Sequence, residues 1–187
     1  MPTLPKYETY KDSGIPGIGE IPDHWQIFYN RRLFREKSRK IDNPNEIPLS
    51  VSQIDGVIPS KEMKERSLRP AHYNNFKLCL PRELIEKRFK GHIDTKYKSK
   101  YRVIVTFHYG VYDPERELST RYFELLFHTD TYKTIYAGAS NGMTIGLQNL
   151  SNQNFYDVSS IYPPDEEQKR IDEILDRTTT EIDHAKS

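Results

Sequence analysis

Cysteine is almost missing from this chain of 187 residues: Cys79 stands alone, which excludes an intrachain disulfide and a cluster of thiolate metal ligands. The segment around it, Phe76-Lys77-Leu78-Cys79-Leu80, reads as a strand, so the thiol is expected to be a small core residue rather than a nucleophile. Long hydrophobic runs are missing too. No stretch approaches the apolar length of a membrane span, and the N-terminus lacks a basic region followed by an apolar one. Neither insertion nor secretion is indicated, and a cytoplasmic setting is expected. His24, His72, His92, His108, His128 and His184 include no i, i+4 pair of the kind that holds zinc on a helix. The segment Gly14-Ile15-Pro16-Gly17-Ile18-Gly19 resembles a glycine-rich phosphate loop only superficially, because no strand precedes it and proline interrupts it. A nucleophile elbow, a Rossmann fingerprint and a methyl-donor glycine loop are also absent. Asp55, Glu62 and Lys64 could be assembled into a Mg²⁺ nuclease triplet, but 27 acidic residues produce such triplets readily, and Glu62 and Lys64 read as a surface pair. The chain is therefore expected to be no enzyme, with no catalytic residue and no metal.

Aromatic residues are plentiful. They make up 12% of the chain, including 13 Tyr, against 35% hydrophobic and 29% charged residues, which indicates one folded domain on the polar side of globular. The net charge of +1 conceals an uneven distribution. Residues 31–102 hold 19 Lys and Arg against 9 Asp and Glu, whereas residues 103–187 hold 7 against 14 and residues 1–30 hold 2 against 4. A basic middle between acidic ends is expected where one face meets a polyanion.

Along the chain, Tyr7 to Pro22 reads as an irregular strap anchored by Trp25. His24 to Phe28 is expected as a first strand. Arg31 to Lys40 is basic and helical or extended, with Leu33 and Phe34 facing a core and Arg31, Arg32, Arg35, Lys37, Arg39 and Lys40 left to water or phosphate. Leu49 to Gln53 alternates as a strand, and Asp55-Gly56 turns it into Val57-Ile58-Pro59, a hairpin-like edge. Lys61 to Arg69 reads as a charged helix or exposed loop, Tyr73 to Leu80 as a strand, Arg82 to Phe89 as a short charged helix and Gly91 to Lys100 as a polar loop. Arg102 to Tyr109 is the clearest strand, with Tyr112 to Glu115 turning away from it. Thr120 to Tyr136 is expected to form one or two buried helices ended by Gly138, followed by an amide-rich loop and a last strand, Phe155 to Val158. Strands dispersed among helices without βαβ alternation predict an α+β domain with mixed or antiparallel strands.

The chain closes on an amphipathic helix. Pro163-Pro164 precede it, Asp165 and Gln168 have capping-box spacing, and acidic residues crowd the first turn. Ile171, Ile174, Leu175, Thr178 and Ile182 share one face, suited either to packing on the chain's own domain or to a partner helix. The boundary is expected between a domain at 1–163 and this helix at 164–187. The loops and strand ends, meanwhile, offer amide, hydroxyl and cationic groups that read nucleic acid: Arg39, Lys40, Ser52, Gln53, Lys96, Lys98, Lys100, Arg102, Asn141, Thr144 and Gln148.

Four stretches carry a family resemblance: Tyr10-Lys11-Asp12-Ser13-Gly14-Ile15-Pro16 with Gly19-Glu20-Ile21-Pro22-Asp23-His24-Trp25; Leu49 to Gln53 with Gly56 to Pro59; Arg121-Tyr122-Phe123 to Tyr132; and Tyr162-Pro163-Pro164 through Glu167-Gln168-Lys169-Arg170-Ile171. In order and spacing they resemble the specificity subunit of type I restriction-modification systems. Gly17, where such subunits commonly carry an aromatic residue, and the segment 82–100 depart from the pattern. The resemblance implies a non-catalytic target recognition domain that binds double-stranded DNA, followed by the start of a spacer helix of coiled-coil type. It implies a modification (methyltransferase) subunit and a restriction subunit as partners, with S-adenosylmethionine, ATP and Mg²⁺ on those partners and no cofactor on this chain. A second recognition domain or a homodimer would supply the other half-site, because a helix from Asp165 to Ser187 spans only about 35 Å. On this reading the chain is a half-subunit or fragment. The rival expectation is a degenerate fragment that does not bind DNA and only associates with the modification subunit.

Overall fold

Aromatic rings organise this fold. Phe34 meets Phe123 edge-on at 5.3 Å between centroids, Phe127 meets Tyr136 at 5.4 Å, and Tyr136 stacks on Phe155 at 6.1 Å. All five rings are fully buried, and offset or edge-to-face pairs add to the stabilisation that burial alone provides. Leu33, Leu84, Tyr112 and Tyr132 belong to the same main core, while Cys79, Ile85, Val103, Val105 and Val111 form a second, aliphatic one. The computed structural model that shows this describes residues 6–41, 48–52, 56–59, 76–88, 96–140 and 150–186, with backbone alone at 49–52, 56–59 and 179–186.

The elements run β1 (Tyr10–Asp12), β2 (Glu20–Pro22), β3 (Gln26–Tyr29), a 3-10 turn (Asn30–Arg32), β4 (Phe34–Glu36), β5 (Leu49–Ser52) and β6 (Gly56–Pro59). They continue with β7 (Phe76–Cys79), β8 (Leu84–Lys87), β9 (Lys96–Lys98), β10 (Val103–Thr106) and β11 (Tyr109–Pro114). Helices α1 (Thr120–Phe127), α2 (Asp130–Ala139) and α3 (Asn152–Asp157), strand β12 (Ser159–Tyr162) and helix α4 (Asp165–Lys186) close the chain. The largest sheet is antiparallel in the order β4-β11-β8-β9, pinned by Tyr112 opposite both Glu36 and Leu84 and by Ile85 opposite Tyr97. Four antiparallel pairs, β1-β2, β3-β12, β5-β6 and β7-β10, make up the other sheets among the described residues. The result is the expected α+β domain.

Local chemistry explains the helix starts. Ser119, Thr129 and Ser151 each accept the amide of the residue three positions on, giving α1, α2 and α3 hydroxyl N-caps. Leu33 and Phe34 are fully buried, and Arg31, Arg32 and Arg35 stay exposed, as their chemistry requires. The β5-β6 hairpin forms with Leu49 opposite Pro59, and Cys79 is fully buried, its thiol pushed up by burial and the nearby Glu83.

Several expectations are corrected. Tyr7 to Pro22 is no irregular strap, because β1 and β2 pair across it, and Gly17 at φ +83° and Gly19 at φ +74° lie in the loop between them. The first strand is shifted, since β3 covers Gln26–Tyr29 rather than starting at His24. Arg82 to Phe89 holds a strand, β8, instead of a helix: Leu84, Ile85 and Glu86 are all buried and paired on both edges, which erases the exposed charged face a short helix would need. The 96–100 end of the expected polar loop contains β9. Tyr112–Pro114 belongs to β11, so the chain turns earlier, at Phe107-His108. Gly138 lies inside α2, whose end is set at Ser140 by a bond from its Oγ to the Tyr136 carbonyl. Phe155 to Asp157 is helical because Ser151 caps it and Asn154 Nδ2 ties it to the Ala139 carbonyl at 2.6 Å; the final strand follows at Ser159. Lys61 to Arg69 lies outside the described residues.

Candidate nucleic-acid interface

The cations singled out by sequence meet different fates. Lys96 and Lys98 are two apart because they are in a strand, and that period puts both on one face of β9, which packs against α1. Lys96 is consequently buried, 1% exposed, with its ammonium 3.3 Å from Glu86 Oε1 and 3.7 Å from the Tyr136 ring centroid. It is withdrawn from solvent and offers nothing to a phosphate. Burial pushes the Glu86 carboxyl up, against the pull of Lys96 and Arg88. A chain of contacts continues outward: Tyr112 OH donates to Glu86 Oε2 at 3.1 Å, Arg88 donates to Tyr112 OH at 3.0 Å, and Glu36 pairs with both Arg88 and Lys77. Gly110 makes room for this network, since a Cβ there would stand 2.6 Å from Tyr112 Cε2.

Arg39 is also engaged. Its backbone carbonyl accepts from Leu78 N at 3.0 Å, and its guanidinium pairs with Glu83 and lies 3.7 Å from Asp113. Lys40, Lys100 and Arg102 are exposed, and Lys98 is half-buried. Ser52 ends β5. Gln53, Asn141, Thr144 and Gln148 lie outside the described residues.

Sequence reasoning missed a cleft of about 180 Å³ lined by Arg82, Lys98, Ser119, Thr120 and Lys169 together with Glu117, Leu118 and Asp165. Arg82 reaches it from the turn Leu80-Pro81-Arg82-Glu83, closed by Glu83 N donating to the Leu80 carbonyl at 3.3 Å. Its φ of +76° suits glycine at the third position of a type II turn. The Pro-Arg pair was the available signal for this turn. A larger groove of about 720 Å³ lies between the 14–17 loop and α2, but its charged residues are Asp130 and Asp157, the wrong sign for a polyanion.

The first turns of the terminal helix are built into the domain. Gln168 is fully buried and does not close a capping box with Asp165; its Oε1 accepts the Ser119 amide at 2.9 Å and its Nε2 donates to the Pro163 carbonyl at 2.8 Å. Asp165 instead accepts from Tyr162 OH at 2.6 Å. Asp172 accepts from Ser119 Oγ, and Arg121 spans Glu124 and Asp176 at 2.9 and 3.1 Å. Glu167 gathers Tyr7 OH at 2.7 Å, Trp25 Nε1 at 2.9 Å and His24 Nε2 at 2.5 Å. Burial raises the Glu167 carboxyl, yet these three bonds outweigh it and hold the group below its ordinary value. Trp25 is thus an anchor, but of the first turn of α4, with Tyr7 edge-on to its ring. Of the expected partner face, Ile171 packs on the main core, Ile174 is half-buried, Leu175 is 40% exposed and Thr178 is exposed, its hydroxyl donating to the Ile174 carbonyl. The Ile182 side chain lies outside the described residues.

Among the described residues no group of three His, Cys, Asp or Glu could hold a metal ion, and no helix is long and apolar enough to cross a membrane.

No family model and no curated protein matches the sequence. Solved structures do match. A chain from a structural study of complex assembly and conformational transition in the type I restriction-modification system superposes with a TM-score of 0.60 at 15% identity, covering 91% of this chain and 42% of that one. The HsdS subunit from Thermoanaerobacter tengcongensis gives 0.53 at 12%, covering 94% and 41%, and the S subunit of the type I system from M. genitalium gives 0.54 at 12%, covering 86% and 40%. This chain spans about two fifths of the length of the structures it matches. Its fold is that of a part of a type I restriction-modification specificity subunit, the size of one target recognition domain.

Proposed function

We propose that the chain is a DNA-reading module, the specificity component of a type I restriction-modification complex, which directs modification and restriction by partner subunits and catalyses neither. The observation that supports this best is the agreement in fold over 91% of the chain with a structure from such a system. Cations exposed or half-buried on one stretch, Lys98, Lys100 and Arg102, together with Arg82, supply phosphate contacts. Base reading falls to the amide and hydroxyl side chains of Ser52, Gln53, Asn141, Thr144 and Gln148. The outer part of α4, from Ile174 onward, docks a partner helix, on the modification subunit, a second recognition domain or a second copy. S-adenosylmethionine, ATP and Mg²⁺ belong to the modification and restriction subunits, and the complex works in the cytoplasm, where its DNA is.

The engagement of Arg39 and Lys96 by carboxylates favours a second reading, a fragment that binds the modification subunit without DNA. Duplex binding with the modification subunit present separates the two. The first reading expects affinity that falls steeply as salt rises through the physiological range, by the release of counterions from several phosphates. Absence of duplex binding at low salt leaves the second. Methylome sequencing of cells carrying both chains would then give the target.

A further inference from the structure

We propose that the cleft between the first turns of α1 and α4 is a seat for a phosphate group, which in duplex DNA is one backbone phosphodiester; the DNA source rests on the reading above. Arg82, Lys98 and Lys169 line it from three separate parts of the chain. The N-terminus of α1 adds its own positive end, because the first N–H groups of a helix have no intrahelical acceptor. Thr120, the first residue of that helix, lines the same cleft, is 3% exposed, and its Oγ1 has no hydrogen-bond partner. Buried hydroxyls almost always have one. An unpartnered hydroxyl at the wall of a cationic cleft is suited to an acceptor oxygen from outside the chain.

Two carboxylates also line the cleft, Glu117 and Asp165, and Asp165 is engaged by Tyr162 OH at 2.6 Å. Among the lining residues, three cations and a helix N-terminus of about half a charge stand against these two carboxylates. Nearby carboxylates compete for two of these cations: Glu166 lies 3.7 Å from the Lys169 ammonium, and Glu124 and Asp172, bonded to Arg121 at 2.9 Å and to Ser119 Oγ, also attract Lys98, so a bound phosphate takes Lys98 and Lys169 over from them. A space of about 180 Å³ corresponds to about six water volumes, enough for a phosphate with part of its hydration.

The test uses the full chain, a short random-sequence duplex and, separately, inorganic phosphate, with Arg82→Gly, Lys98→Gln and Lys133→Gln as variants. Arg82→Gly suits the positive φ, so it removes the cation without unfolding the turn. Lys133 lies on α2, does not line the cleft and serves as the control. The expected result is a several-fold loss of duplex affinity in Arg82→Gly and in Lys98→Gln, each lowering the salt slope by about 1, with Lys133→Gln unchanged. Phosphate should also move the amide resonances of Thr120 and Arg121, and Lys98→Gln should abolish that movement. Duplex binding that is the same in all variants overturns the seat and leaves the DNA reading intact. If the parent chain binds no duplex, the DNA reading fails instead. The seat then survives only if phosphate moves those two amides in a Lys98-dependent way; no movement overturns it.

Discussion

Trp25 donates its indole N–H to Glu167 Oε2 at 2.9 Å, a bond that joins residues 142 positions apart in sequence. It fastens the start of the terminal helix to the link between β2 and β3. Tyr7 and His24 donate to the same carboxylate, so one side chain in the first turn of α4 ties the helix start to three N-terminal residues.

Glu167→Gln leaves one acceptor oxygen for three donors and should lower stability by about 1–2 kcal/mol, read from urea unfolding. The folded-state pKa of Glu167 lies below its unfolded value near 4.5, so its contribution is fully present above that pH and is lost as pH falls through the folded value. Trp25 fluorescence should report the loosening of the parent chain below about pH 4.5, and Glu167→Gln should flatten that part of the profile. An unchanged profile in the variant would show that other carboxylates govern it.

Lys96→Ala removes the ammonium beside the buried Glu86 carboxyl, leaves it only Tyr112 OH and the more distant Arg88, and should cost about 3 kcal/mol. The double variant Glu86→Leu with Lys96→Met removes both charges and should recover most of the loss. Thermal melts of the three proteins decide it: a double variant as unstable as the single one would mean that packing, not charge, dominates here.

Arg82→Gly should raise stability by about 1 kcal/mol, since a left-handed backbone strains any residue with a Cβ. The urea midpoint should rise with an unchanged slope. A lower midpoint would mean that the arginine side chain contributes more than its backbone costs.

Ile171 and Leu175 should separate folding from docking. Ile171→Asp attacks the main core and should lower the melting temperature, whereas Leu175→Asp on the exposed face should leave it within about 0.5 kcal/mol. Only Leu175→Asp should abolish co-purification with the modification subunit while leaving the domain folded. Retained co-purification would move the docking surface away from this face.

Much of the fold was legible in local chemistry. β-branched residues at Val103–Thr106 specified a strand, Asp55-Gly56 placed a hairpin, and Pro163-Pro164 started α4 at Asp165. The burial of Leu33 and Phe34 between exposed arginines followed from solvation alone. The candidate site was legible only in outline. Gln168 followed a capping pattern, but the free amide it satisfies is that of Ser119, 49 residues earlier. Arg82, Thr120 and Lys169 converge on one cleft although no spacing connects them.

The sequence by itself determined that no intrachain disulfide can form, the excess of positive charge in its middle, and the identity of residues that water rejects. Tertiary structure alone decided which charges remain available to a ligand. Lys96 and Lys98 have the same side chain and the same strand, yet one is sealed against Glu86 and Tyr136 and the other opens on a cleft. The reason is physical: the solvation and pairing of a charge depend on groups brought from distant parts of the chain, whereas local patterns carry only the preferences of neighbours.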